Sequence, residues 1–326
     1  MNQAKIELLR HIEQLDKLKA GHYIAPMTEH YRFPNISGGV WTAMVTPFRG
    51  KNLALESLDL LIERSIRARI SGLIVLGTTG EAPTVTFEER KILIARAVAT
   101  SNKRIPIFVG IGSNDTAHVL RQVDQAEECG ADGLLVVTPY YSKPTEEGLR
   151  RYFLTIADRT KLPIILYHIP GRCAVGISIP LVLELARHKN IMGIKDAGGD
   201  VSRVSEIARL APEEFTVLAG DDGLTLPMMS VGAVGTVSVL SNLVPEIMVN
   251  MVRNASVGNY SEALVSHRKL APLIHALFLE SSPAPIKEAL NLTDIKVGAV
   301  RAPLVPVSSK TKAVIKKTLQ ELGLAI

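Results

Sequence analysis

Short apolar runs rich in Val and Ile recur eight times in this chain, and their spacing limits the fold more than any other feature. They fall at residues 39–46, 72–77, 105–110, 133–138, 162–167, 191–195, 215–219 and 235–240. Each is too short for a buried helix, and each ends in Gly, Thr, Pro or a charged residue. Apolar side chains on both faces mark a strand covered on both sides of a sheet. Residues 55–68, 86–101, 117–129 and 145–159 instead place apolar side chains at helical spacing, with charge on the outer face. Strands of that kind alternating with amphipathic helices predict a parallel sheet clothed in helices. Eight units over residues 37–245 fit an α/β fold of the (β/α)8 barrel type better than an open doubly wound sheet. A dinucleotide-binding fold would need Gly-x-Gly-x-x-Gly after an early strand, and no such turn is present there.

Beyond residue 245 the alternation stops. Residues 246–256, 258–279, 283–291 and 309–323 read as helices, so residues 246–326 are expected to form a C-terminal helical region. Residues 1–36 form an N-terminal extension in which Ile6, Leu8, Leu9, Ile12, Leu15 and Leu18 lie at helical spacing. Glu7, Glu13 and Asp16 there argue against an acid-poor transit peptide. Residues 223–245 carry no charge and are long enough to span a bilayer. Pro227, Gly232, Gly235 and Asn242 interrupt them, which predicts a buried helix followed by a buried strand, with no membrane segment.

The composition, 326 residues of which 47% are hydrophobic and 21% charged, supports a large globular core. The net charge of +5 comes from Lys and Arg scattered among acids, so no nucleic-acid surface is expected. Cys129 and Cys173 stand far apart in no metal-like spacing, and a reducing cytoplasm is the simplest compartment.

In a (β/α)8 barrel the active site lies at the C-terminal ends of the strands. The second run ends in Gly77-Thr78-Thr79-Gly80-Glu81, the fourth in Thr138-Pro139-Tyr140-Tyr141 and the fifth in Tyr167-His168-Ile169-Pro170-Gly171-Arg172. The sixth ends in Lys195 and the seventh in Gly220-Asp221-Asp222. A lysine held among apolar neighbours loses solvation and part of its preference for the charged form, and such amines form Schiff bases with carbonyl substrates. A strand-end lysine that merely reaches to water is the competing reading, and the segment alone leaves both open. The Thr78-Thr79 turn can hold a carboxylate or simply cap a helix. Tyr167 can exchange a proton or only pack, and Arg172 can fork onto a carboxylate or do nothing so specific. His168, next to Tyr167, alternates to the opposite face and reads as structural. No metal-ligand spacing and no Ser or Cys nucleophile elbow is present, so the chemistry expected is that of a lysine without metal or cofactor.

These same segments, with Gly193-Ile194-Lys195-Asp196-Ala197, Pro283-Ala284-Pro285-Ile286-Lys287 and Arg301-Ala302-Pro303-Leu304, resemble the dihydrodipicolinate synthase/N-acetylneuraminate lyase family from about residue 37 to the C-terminus. The resemblance implies a class I aldolase in which Lys195 captures pyruvate as a Schiff base and Tyr167 shuttles protons. It implies that Thr78 and Thr79 bind the keto-acid carboxylate, with Thr79 linking Tyr167 to Tyr141, a tyrosine reached across a tight dimer interface. Gly220 and Val237 match positions whose backbone lines the pyruvate pocket. Arg172 matches the arginine that holds the carboxylate of aspartate semialdehyde, which favours a synthase over a sugar-acid aldolase or a neuraminate lyase. A barrel kept only for binding or assembly has no need of this full set. Homodimers or homotetramers are expected. The chain departs from the usual pattern at His168, Cys173, Ala174 and Asp196, and these departures bear on the second substrate more than on the aldolase chemistry.

Overall fold

Eight parallel strands close on themselves in the computed structural model, which describes residues 38–326. They are β1 (Gly39–Ala43), β2 (Gly72–Val75), β3 (Ile107–Ile111), β4 (Gly133–Val137), β5 (Ile164–His168), β6 (Ile191–Asp196), β7 (Thr216–Ala219) and β8 (Gly235–Ser238). Each strand pairs with its neighbours in sequence, and β1 pairs with both β2 and β8 to complete the ring. All eight apolar runs are therefore strands of one barrel, as their spacing predicts. The helix expected within residues 1–36 lies outside the described residues.

The strand entries differ from the sequence expectation for a local reason. β3 and β5 begin after Pro106 and Pro163, since proline has no N–H to give a ladder. Their carbonyls still serve it: Leu73 N donates to Pro106 O at 2.9 Å and Leu134 N to Pro163 O at 2.9 Å. Helix starts are equally local. Thr86 closes a capping box with Glu89 before the helix Phe87–Ser101, and Asp115, Thr145, Ser178, Asp200 and Ser308 cap five others. The uncharged segment 223–245 contains the short helix Thr225–Met229 and then β8. Among the described residues no helix is long and apolar enough to cross a membrane.

Two apolar layers result. The larger lies between strands and helices; the smaller fills the barrel with Trp41, Ala43, Ile74, Phe108, Leu135, Ile165, Tyr167, Leu218 and Val237. Trp41 and Phe108 meet edge to face, with centroids 4.8 Å apart, and form a floor near the N-terminal ends of the strands. Gly72 and Gly133 make room for those rings: a Cβ at either position would come within 2.3 Å of the Trp41 or Phe108 ring. The floor fills the barrel at that end, and Tyr167 lies towards the opposite, C-terminal ends of the strands.

C-terminal to β8, the helices Pro245–Ser256, Tyr260–Leu277, Ala284–Leu292 and Ser309–Glu321 follow in order. The first packs on β1 and along the second, and the third packs on the fourth. All described residues belong to one compact unit. Cys129 and Cys173 are both free thiols.

Candidate active site

Lys195 owes its direction to an irregularity in its own strand. Ile164 pairs with Ile191, but Ile165 pairs with Gly193, so β6 carries one extra residue at Met192. Strict alternation from Ile191, which faces the helices, would aim Lys195 outward as well. The extra residue resets the phase: Ile194 faces the helices, and Lys195 faces the barrel interior opposite Tyr167 and Leu218. Bulges commonly re-aim side chains beside active sites in this way. Gly193 allows it, because a Cβ there would lie 2.5 Å from Thr216 O.

The result is a close pair. Lys195 is 4% exposed and its Nζ lies 4.1 Å from the centroid of the Tyr167 ring, which is equally buried. Gly220, at the end of β7, makes space for the lysine stem: a Cβ there would stand 3.0 Å from Lys195 Cε, 2.9 Å from Asp196 O and 2.7 Å from Ala197 Cβ. Gly220 N donates to Asp196 O at 2.6 Å, which ties the ends of β6 and β7 together. Val237 packs in the same interior cluster as Tyr167.

At the end of β2 the chain turns sharply. Gly80 N donates to Gly77 O at 3.1 Å and Glu81 N to Thr78 O at 3.1 Å. Leu76 and Glu81 both adopt left-handed φ, +58° and +53°, which is uncommon for non-glycine residues. Thr79 is buried and Thr78 half-buried. Neither threonine hydroxyl, nor the Tyr167 hydroxyl, nor Lys195 Nζ hydrogen-bonds to protein among the described residues. Four polar groups gathered at one end of a barrel and left without protein partners among the described residues suit a polar ligand.

Two expected site residues are exposed. Arg172 lies exposed in the short helix Pro170–Cys173, where its Nη2 donates to Ser282 O at 3.2 Å. Tyr141 is 89% exposed at φ +68° and makes no hydrogen bond within the chain among the described residues.

His168 and Asp196 are partners one register step beyond Tyr167 and Lys195, on the outer face. His168 Nδ1 accepts from Ile177 N at 3.0 Å, and burial pushes its pKa down. Asp196 accepts from Arg203 Nε at 2.8 Å and from Gly198 N at 3.0 Å. The outward, structural placement expected of His168 is what is found.

Sequence reasoning missed two groups. Asp222 is wholly buried, and one carboxylate oxygen accepts from Val239 N at 2.9 Å and Leu240 N at 3.1 Å. Burial pushes its pKa up to about 6. It thereby anchors the chain just after β8, close in sequence to Val237. Glu81 is the second, paired with Lys287 at 2.7 Å across 206 positions. The Gly77–Glu81 and Pro283–Lys287 motifs were the only signal of either partner, and no periodicity links them. Among the described residues no group of three or more His, Cys, Asp or Glu side chains is placed to hold a metal ion.

The sequence pattern described as the dihydrodipicolinate synthetase family matches residues 36–322. A 4-hydroxy-tetrahydrodipicolinate synthase of Thermotoga neapolitana is 43% identical over 290 residues, covering 88% of this chain and 99% of that protein. One from Bacillus subtilis is 40% identical over 287 residues, covering 87% and 99%. The crystal structure of the Thermotoga maritima dihydrodipicolinate synthase superposes with a TM-score of 0.87 at 41% identity, covering 88% of this chain and 99% of that one. The synthase of Methylacidiphilum fumariolicum SolV gives 0.86 at 44% identity, covering 88% and 96%.

Proposed function

The chain belongs to the dihydrodipicolinate synthetase family, and on that footing we propose that it catalyses the 4-hydroxy-tetrahydrodipicolinate synthase reaction, a class I aldol condensation of pyruvate with L-aspartate 4-semialdehyde. The product leads toward diaminopimelate and lysine. The observation that carries this is the buried Lys195, with no protein acceptor among the described residues, stacked 4.1 Å over the Tyr167 ring at the C-terminal ends of the strands.

The chemistry runs through Lys195. Its neutral amine adds to the C2 carbonyl of pyruvate, and loss of water from the carbinolamine gives a protonated Schiff base. Loss of a proton from C3 then yields an enamine. Tyr167, against the lysine, moves the protons of these steps. Thr78 and Thr79 hold the pyruvate carboxylate with their hydroxyls, and backbone at Gly220 and Val237 lines the pocket. The enamine carbon adds to the aldehyde of the second substrate. The amine of that substrate then attacks the iminium carbon and displaces Lys195, closing the ring and freeing the enzyme. One water is released per turnover. Arg172 holds the carboxylate of the semialdehyde.

Tyr141 serves the site of a neighbouring copy in a homodimer or homotetramer, where its hydroxyl joins Thr79 and Tyr167. Its exposure within its own chain supports that role. Residues 37–245 form the catalytic barrel, and the C-terminal helices from residue 246 support it. The enzyme works in the cytoplasm, a setting that suits its two free thiols. The test is turnover of pyruvate with aspartate semialdehyde beside N-acetylneuraminate and keto-deoxy-gluconate cleavage. Turnover confined to either sugar acid would assign the lysine to a different aldolase.

A further inference from the structure

The turn that presents Thr78 and Thr79 ends on an ion pair that none of these steps uses. The side chains of Glu81 and Lys287 are 0% and 1% exposed. All three ammonium protons of Lys287 are engaged, by Glu81 Oε1 at 2.7 Å, Ala299 O at 2.9 Å and Thr46 O at 3.0 Å. The ammonium also lies 4.3 Å from the centroid of the Phe48 ring. The second Glu81 oxygen accepts from Arg301 N at 2.8 Å. Four stretches of chain therefore converge on one ion pair: the segment after β1, the turn after β2, the helix Ala284–Leu292 and the loop 299–301.

The turn is tied down on its other sides too. Thr46 Oγ1 donates to Gly80 O at 2.6 Å. The Arg301 guanidinium donates to Thr84 O at 2.9 Å and forks onto Glu89 at 2.6 Å. These bonds hold Glu81 in its left-handed conformation, and among the described residues neither threonine hydroxyl has a protein partner. A buried ion pair is a weak means of stabilising a fold, because desolvation of both charges offsets their attraction and apolar replacements often serve as well. What such a pair does supply is direction, since each oxygen and each proton has one acceptable partner.

We propose that Glu81, acting through Lys287, is a positioning residue: it fixes the Gly77–Gly80 turn so that Thr78 and Thr79 meet the substrate carboxylate. The C-terminal helical region thereby becomes part of the support of the substrate site. This inference rests on the function proposed above.

The test compares the full-length parent with Lys287→Met, Glu81→Gln and the double variant, each assayed well below its melting temperature. Both single variants should raise KM for pyruvate about tenfold or more while KM for the semialdehyde stays within about twofold, as expected when a binding group is misplaced without touching the rest of the site. The double variant, free of unpaired buried charge, should recover the parent's thermal stability yet keep the raised KM. An unchanged KM in the folded single variants would overturn the proposal, as would a KM that returns to the parent value along with stability. Failure of all three variants to fold would make the pair a folding element only and overturn it equally. Borohydride trapping of the parent with pyruvate separates the two levels. A parent that forms no adduct on Lys195 overturns the function and this inference together, whereas a trapped parent with unaltered variants overturns this inference alone.

Discussion

Lys195 and Tyr167 are register partners on adjacent strands, and the Nζ of one sits 4.1 Å over the ring of the other inside the barrel. Both are buried, and among the described residues neither polar end makes a protein hydrogen bond. The pairing follows from one extra residue at Met192, which turns Lys195 from the helix side to the interior. Amine and phenol thus meet at the C-terminal ends of the strands, above a floor of Trp41 and Phe108.

Tyr167→Phe keeps the ring under the lysine and removes only the hydroxyl. Thermal stability should change little, whereas kcat should fall by about 10²-fold or more, the usual worth of a positioned proton donor. Steady-state kinetics with a parallel melting curve checks this. A variant with normal kcat would remove Tyr167 from proton transfer.

Gly220→Ala places a methyl 2.7 Å from Ala197 Cβ, 2.9 Å from Asp196 O and 3.0 Å from Lys195 Cε. The backbone oxygen cannot yield cheaply, so strand end and lysine stem both shift. The variant should lose about 1–3 kcal/mol of stability to overpacking. Its kcat/KM should fall about 10²-fold through misplacement of the amine. Chemical denaturation and kinetics together test both effects.

Asp222 gives a pH signature. Burial raises its pKa from 3.8 to about 6, so the fold favours the protonated acid. That contribution is fully present below pH 3.8 and is lost as pH rises through about 6. Asp222→Asn keeps an oxygen for Val239 N and Leu240 N and never ionises. Between pH 4 and pH 7 the stability difference should move in favour of the variant by about 1–3 kcal/mol. Denaturant titrations of both proteins across that range measure it; a difference independent of pH would mean that Asp222 ionises freely in the fold.

Tyr141 is exposed in its own chain and is proposed to serve a neighbouring copy, so two defective subunits should repair each other. In a dimer of Lys195→Ala with Tyr141→Phe, the second subunit keeps its lysine and borrows an intact Tyr141. Mixed and reassembled subunits should recover about a quarter of parent activity, one sound site in half of the dimers of a two-fold assembly. Activity no greater than the sum of the separate variants would contradict an exchange of Tyr141 between copies.

The barrel was legible because parallel strands buried on both faces leave unmistakable apolar runs, and their helices start at caps such as Thr86, Asp115 and Asp200. The strand-end candidates followed from the barrel. The direction of Lys195 did not, since simple alternation from Ile191 aims it at the helices and only the pairing with β5 reveals the extra residue. Nor was the Glu81–Lys287 pair legible, because a contact spanning 206 positions leaves no local pattern. Asp222 went unassigned for a related reason: its role is to accept from the backbone after β8, and backbone donors carry no sequence signature.

The most direct test is borohydride reduction of the full-length protein in the presence of pyruvate, followed by peptide mass mapping. A single pyruvate-derived adduct on Lys195, lost in Lys195→Ala, is the predicted result. Absence of any adduct, or an adduct on a different lysine, would contradict the account at its centre.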